Sequence, residues 1–248
     1  MAMIRPGGEN LTKKAIELAD LPKEAKVLDV GCGEGDTAAM LRDDLGFTAT
    51  GVDMSKKLID KGKARHEDLD LRQMEAEYLD VESRTYDAVF MECSLSVFRL
   101  QDDAAFEAWC ALKPGGKLII TDLYIKNPDP IAVAKMIKEA DEIAGRPKKD
   151  GACGENIKPS YVMLDGAFVV DELLAMLEET GFVFEHFSDE KDALAGFAAQ
   201  AVMGHGSLEE YFKAVVPEGE DPQTFYPCAA LDGKNLGYFL MILKKPEE

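Results

Sequence analysis

Histidine, tryptophan and cysteine are scarce in this chain of 248 residues, which holds 3, 1 and 5 of them. The histidines (His66, His186 and His205) are scattered and no C-x-x-C pair occurs, so neither a metal cluster nor a disulfide framework is expected. The thiols are odd in number, and reduced cysteines are the default reading. No apolar run approaches the roughly 18 residues that a membrane helix needs, and no basic-then-apolar leader or lipidation signal is visible. A soluble, cytoplasmic protein is the expectation. Basic residues are also few: 28 Lys and Arg stand against 47 Asp and Glu, for a net charge of −19. Such a surface repels phosphate backbones, and the pairs Lys56-Lys57 and Lys148-Lys149 are too small to form a nucleic-acid footprint. The acidity reads as a solubilising or salt-adapted surface, with neither nucleic acid nor membrane as a partner.

Against these absences stands one dense signal, Val27-Leu28-Asp29-Val30-Gly31-Cys32-Gly33-Glu34-Gly35. The run Lys26 to Val30 reads as a buried parallel strand, followed at once by glycines at three alternate positions. A helix over Asp36 to Leu45 comes next, so backbone N–H groups and a helix N-terminus face a nucleotide-like ligand. The dinucleotide pattern is G-x-G-x-x-G; here the third glycine comes one residue early and Asp36 takes its place. With Asp29 just ahead of the first glycine, the reading shifts from NAD to S-adenosylmethionine. Thr48 to Asp53 forms a second strand, ending in a carboxylate 22 residues beyond Gly31. A carboxylate there offers two acceptor oxygens to the two hydroxyls of a ribose.

Further strands are expected at Asp70 to Met74, Tyr86 to Met91 and Lys117 to Leu123, the last after a turn at Leu112-Lys113-Pro114-Gly115-Gly116. An amphipathic helix over Glu9 to Asp20 precedes this core, and the loop Arg5-Pro6-Gly7-Gly8 ahead of it is placed over the mouth of the site. Helices are expected at Ile131 to Ala144 and Asp171 to Thr180, a strand at Gly181 to Glu185, one or two helices within Asp192 to Val216, and a last strand at Gly237 to Leu243. The stretch Gly145 to Gly166 has no period and suits a long binding loop. Hydrophobic residues make up 46% of the chain, enough to bury one sizeable core.

Five segments in this order, VLDVGCGEG at 27–35, GVDMS at 51–55, MEAEYLD at 74–80, YDAVFMECSL at 86–95 and LKPGGKLIITD at 112–122, resemble the class I S-adenosylmethionine-dependent methyltransferases. The resemblance covers residues 24 to 125, less than half the chain, and lies nearest the broad small-molecule, methyltransferase type 11-like group that includes quinone-biosynthesis enzymes. It implies an α/β, Rossmann-like, doubly wound sheet of seven strands, mostly parallel with an antiparallel last strand. A single methyltransferase domain over 1–248 is expected: an N-terminal helix and cap (1–22), a cofactor-binding core (23–125), inserted helices and loop (126–180), and C-terminal strands with a helical insertion (181–248).

The expected cofactor contacts follow. Asp29 orients the loop and the methionine end, the main chain at Gly31, Gly33 and Gly35 approaches closely, and Cys32 is a small filler between glycines. Asp53 holds the ribose, while Met54 and Ala76 wall the adenine. By resemblance, Glu75 replaces the usual aspartate on the adenine amino group, and Glu92, Cys93 and Ser94 lie beside the sulfonium. No protein nucleophile is required, so a catalytic group is not identified. Substrate-side candidates are Arg5, for an anionic group on a small-molecule acceptor, and Cys153 and Cys228, two thiols suited to a soft metalloid. Their placement is similar to that in arsenite methyltransferases, although those carry a further cysteine just beyond the glycine loop, where this chain has Asp36-Thr37-Ala38. The alternatives to a small-molecule methyltransferase are that thiol-assisted variant, a cofactor-binding accessory protein without catalysis, and an NAD enzyme, which Asp36 disfavours.

Overall fold

The computed structural model describes residues 5–144, 161–215 and 235–247. Strands β1 (Lys26–Val30), β2 (Thr48–Asp53), β3 (Asp70–Gln73), β4 (Tyr86–Glu92) and β5 (Leu112–Ile125) are parallel neighbours in the order β3-β2-β1-β4-β5. Between them run α2 (Asp36–Asp43), α3 (Lys56–Arg65) and α4 (Gln101–Ala111), with α1 (Gly8–Ala19) ahead of the first strand. After β5 come α5 (Pro130–Ala144), the two-residue strands β6 (Met163–Leu164) and β7 (Ala167–Phe168), and α6 (Val170–Thr180). Strand β8 (Val183–Asp189), helices α7 (Lys191–His205) and α8 (Leu208–Val215), and strand β9 (Leu236–Lys244) complete the described elements. Strand β9 lies antiparallel between β5 and β8, which gives the expected mostly parallel sheet with a reversed last strand; the short β6 and β7 raise its strand count from the expected seven to nine.

The central strands are covered on both faces, and this is why they read as near-continuous apolar runs. Leu28, Val30, Val89, Met91, Leu118 and Ile120 point to the face covered by α4 and α6, whereas Val27, Ala88, Phe90 and Ile119 point to the face covered by α1 and α2. Strict alternation then assigns Asp29 and Glu92 to the α1–α2 face, at the carboxyl ends of neighbouring strands β1 and β4. Those ends are where ligands bind in open α/β sheets.

Two details depart from the expectations. Leu112 already pairs with Tyr86, and Lys117 pairs with Ala88, so Lys113–Gly116 loop out inside one strand rather than preceding it. The end of the aperiodic stretch carries the β6–β7 hairpin, which joins β5 at Tyr124 opposite Phe168; two-residue strands are too short to show a period.

Gly237 in β9 lies opposite Tyr124, and a Cβ there would run into the tyrosine ring far inside van der Waals contact. That ring cannot swing away, because it packs edge-on against Phe187 and Phe239 at 5.8 and 6.1 Å. Replacing Gly237 by alanine is therefore expected to cost about 1–3 kcal/mol of overpacking, read as a lower urea midpoint at unchanged m-value. An unchanged midpoint would show that the aromatic cluster yields.

Candidate functional site

The loop after β1 is shaped by its own hydrogen bonds. The Gly31 and Cys32 N–H groups both donate to Val52 O, at 2.8 and 3.0 Å, which folds the chain over the end of β2. Gly31 takes φ +78, and a Cβ on it would collide with Ser94, whose Oγ would lie at 2.9 Å. Ser94 is itself fixed, since its buried hydroxyl donates to Val30 O at 2.8 Å. Gly33 takes φ +58 with nothing within 4 Å of where its Cβ would be. The loop is thus tight below Gly31 and open above Gly33. Helix α3 braces it from outside: Arg65 pairs with Glu34 and with Asp36 (2.6 Å), and His66 meets Asp36 at 3.0 Å.

Asp53, at the end of β2, grips this loop. One oxygen accepts from Gly33 N at 2.9 Å and the other from Ser55 N at 2.8 Å. Burial raises its carboxyl above the usual range, against the pull of those two backbone donors. Each oxygen retains a second lone pair for a hydroxyl. Met54, next along, is 63% exposed, with its carbonyl held by Gln73 at 3.2 Å. Ala76 is buried and Glu75 exposed on the following turn. The neighbouring Glu77 faces inward, where one oxygen accepts from Arg99 N and Leu100 N at 2.8 and 3.1 Å. That carboxylate anchors the start of α4.

Asp29 is buried, and its Oδ2 has no hydrogen-bond partner among the described residues. Burial, then the charge of Glu92, push its carboxyl up to about 8, while Arg5 and the Ala38 N–H pull the other way. Glu92 is buried too and is compensated. Arg5 Nη2 lies 2.8 Å from its Oε2, Thr12 Oγ1 donates to its Oε1 at 2.9 Å, and Thr37 also hydrogen-bonds the carboxylate. Arg5 additionally contacts Thr12, Thr37 Oγ1 at 3.4 Å and Gly8 O at 3.1 Å. The guanidinium, a candidate for an acceptor's anionic group, is engaged inside the protein with a carboxylate 87 positions away in the chain. Thr12 and Thr37, the other arms of this cluster, carry no sequence signal beyond lying near helix starts.

Cys93 sits beyond Glu92 with φ +57, an uncommon conformation for a residue other than glycine, and its N–H donates to Thr121 O at 2.6 Å. Its thiol lies near enough to the Tyr211 and Tyr238 hydroxyls to raise both, after burial. Burial and the charges of Asp29 and Asp53 push the Cys32 thiol far up, which makes a poor nucleophile of it. Asp122, near the end of β5, is buried with its carboxyl raised to about 6 by burial, and it receives the N–H groups of Ser96 and Leu123. Cys153 and Cys228 lie outside the described residues. Among the described residues no group of three His, Cys, Asp or Glu is placed to hold a metal, and no helix is long and apolar enough to cross a membrane.

The structure therefore brings Asp29, Gly31, Cys32, Gly33, Gly35, Asp53, Glu92, Cys93 and Ser94 to one end of the sheet, with Met54, Glu75 and Ala76 on the rim beside β2 and β3. A methyltransferase-domain family matches residues 27–116, which contain all of these residues, while Arg5, Thr12, Thr121 and Asp122 lie outside the match. An uncharacterized methyltransferase of Bacillus subtilis, YodH, is 33% identical over 143 residues, which is 56% of this chain and 60% of that protein. A Haemonchus contortus phosphoethanolamine N-methyltransferase 2 in complex with S-adenosyl-L-methionine superposes with a TM-score of 0.67 at 18% identity, over 99% of this chain and 54% of that one. The [4+2]-cyclase SpnF superposes with a TM-score of 0.64 at 22% identity, over 96% of this chain and 81% of that one. The chain spans between about half and three fifths of the length of the first curated relatives it matches. Residues 27–116 thus match a methyltransferase domain, and the fold is similar to that of S-adenosylmethionine-dependent methyltransferases. The residues present fit the cofactor of that class. An unpartnered buried carboxylate oxygen suits a cationic end, the open space above Gly33 admits a ligand against bare main chain, and Met54 offers an apolar wall.

Proposed function

We propose that this chain transfers a methyl group from S-adenosylmethionine to a small-molecule acceptor, acting as a single domain. The observation that carries the reading is the pairing of a gripped glycine loop with the unpartnered Oδ2 of buried Asp29. Bound S-adenosylmethionine supplies a methyl carbon on a sulfonium, already an activated leaving group. The protein's task is alignment, which contributes about 7–11 kcal/mol at best. Asp53, fixed by Gly33 N and Ser55 N, directs its free lone pairs towards ribose hydroxyls. Asp29 faces the ammonium and sulfonium end, where losing its proton creates the complementary charge. Met54 and Ala76 flank the adenine, with Glu75 at its amino edge. The main-chain carbonyls of Glu92 to Ser94 border the methyl group, held by the Ser94–Val30 bond and the Cys93–Thr121 bond. A net charge of −19 supports a small acceptor over a nucleic acid.

Removing the ribose carboxylate tests this reading. For Asp53→Ala, both S-adenosylmethionine and S-adenosylhomocysteine are expected to bind about 10–100-fold more weakly, the loss of one or two hydrogen bonds to a charged group. Titration calorimetry reads it, and equal affinities would remove Asp53 from the site. Thermal stabilisation by NAD in place of both adenosyl ligands would overturn the proposal altogether. Turnover is then sought by incubating the protein with a panel of acceptors and weighing products for one added methylene. A second reading, cofactor binding without methyl transfer, draws support from the structural likeness to a protein described as a cyclase. Binding together with an empty acceptor panel would favour it.

A further inference from the structure

Two buried carboxylates, Asp29 and Glu92, share one face of the sheet on adjacent strands, and the guanidinium of Arg5, from the segment ahead of α1, pairs with Glu92. The contact is built rather than incidental. The side chains of Arg5 and Glu92 are 7% and 2% exposed, Arg5 Nη2 lies 2.8 Å from Glu92 Oε2 as an ion pair, Thr12 from α1 donates to Oε1, and Thr37 from α2 also hydrogen-bonds the carboxylate. Neither Glu92 Oε2 nor Asp29 Oδ2 has a hydrogen-bond partner among the described residues, but Glu92 Oε2 is ion-paired with Arg5 at 2.8 Å, so the charge of Glu92 is matched within the protein. We propose that Arg5 is a positioning residue of the cofactor site: by engaging Glu92 it leaves Asp29 as the carboxylate that meets the cofactor's positive end.

The inference rests on the methyltransferase reading and assigns a task to residues outside the 27–116 match. Asp29 is faced by Glu92 from β4, Arg5 from the N-terminal segment and Asp53 from β2, while Tyr238 of β9 faces Arg5. Of these, Arg5 is the group that favours an ionised Asp29 electrostatically, and Glu92 is the strongest opposing charge. Remove the guanidinium and the negative charge of Glu92 acts on Asp29 without compensation, so Asp29 ionises only at higher pH. Cofactor binding should then weaken near neutrality and recover in alkali. Loss of packing alone would weaken it equally at every pH.

The experiment is a calorimetric titration of S-adenosylhomocysteine into the full chain between pH 6 and 9.5, for wild type, Arg5→Met, Arg5→Lys and the double variant Arg5→Met with Glu92→Gln. The ratio of variant to wild-type Kd cancels the ligand's own ionisation. For Arg5→Met this ratio is expected to be about tenfold at pH 7 and to fall to about twofold at pH 9, as for a rise of about one unit in Asp29. Arg5→Lys should stay within about threefold throughout, and the double variant should return towards the wild-type profile because the two sites are coupled. A ratio of one at every pH, or a constant loss that the double variant deepens, overturns the proposal while leaving the cofactor site intact. Absence of binding by wild type would instead remove the methyltransferase reading and this proposal with it.

Discussion

Gly31→Ala is expected to leave a folded but weakened protein whose affinity for S-adenosylhomocysteine falls by at least about a hundredfold, ~2.8 kcal/mol. The residue holds φ +78, which costs a side chain about 1–2 kcal/mol by itself. The added methyl would also collide with Ser94, and Ser94 cannot step back without releasing Val30 O. The loop must therefore lift off β4, taking with it the N–H bonds from Gly31 and Cys32 to Val52. Gly33→Ala makes the informative contrast. Its methyl would meet nothing within 4 Å, so the loss of stability should stop at about 1 kcal/mol. Binding should nevertheless fall at least about tenfold, because the proposed site puts the ligand in the open space above Gly33. Thermal melts paired with titrations of both variants check the pattern. Normal affinity in Gly33→Ala would place the ligand elsewhere.

Asp29→Asn is expected to raise stability and reduce binding. With the carboxyl held at about 8 in the folded chain and near 3.8 in the unfolded one, the folded state binds the extra proton between those values. Stability from this group is therefore full at low pH and is lost as pH climbs through about 8. Asparagine does not ionise, so the variant should melt higher than wild type at pH 8 and show little difference at pH 4. Binding has the opposite sign. A cationic ligand end selects ionised Asp29, so wild-type affinity should tighten towards tenfold per pH unit from pH 6 and level off near pH 8. In the variant that slope should vanish, leaving affinity about 10–100-fold below wild type at pH 8, the value of a charge-assisted contact. Proton release on wild-type binding at pH 7, read as a dependence of the binding heat on buffer ionisation enthalpy, is the companion observation. Equal slopes in both proteins would show that Asp29 does not face the cation.

The sheet was legible because its signals are local. Val27 to Val30, Ala88 to Met91 and Leu118 to Ile120 put apolar residues on both faces, with Asp29 as the one charge among them, and Asp53 follows the glycines at a spacing that one strand–helix–strand unit enforces. The reversed last strand shows in Tyr238 to Leu243, a run buried at every position. What stayed hidden depends on partners distant in the chain. Arg5 reads as a loop cation until α1 folds back and brings Glu92 within 2.8 Å. Glu77 and Glu75 are alike in sequence, yet Glu77 turns inward because Arg99 and Leu100 present unpaired N–H groups to it. The looped residues Lys113–Gly116 read as a turn before the strand, although β4 already pairs with Leu112. Trp109 packs against the core and also carries Lys245 Nζ over its ring at 3.8 Å, a pairing of residues 136 positions apart. The acceptor side is the least legible part, since methyl transfer from a sulfonium imposes no fixed catalytic group on the chain.

The central claim is that the glycine loop, Asp29 and Asp53 form a site for the adenosyl cofactor. Titration calorimetry of S-adenosylhomocysteine into the wild-type chain at pH 8 tests it most directly. One molecule bound per chain with micromolar or tighter Kd is the expected result. No heat and no thermal stabilisation at millimolar ligand would contradict it.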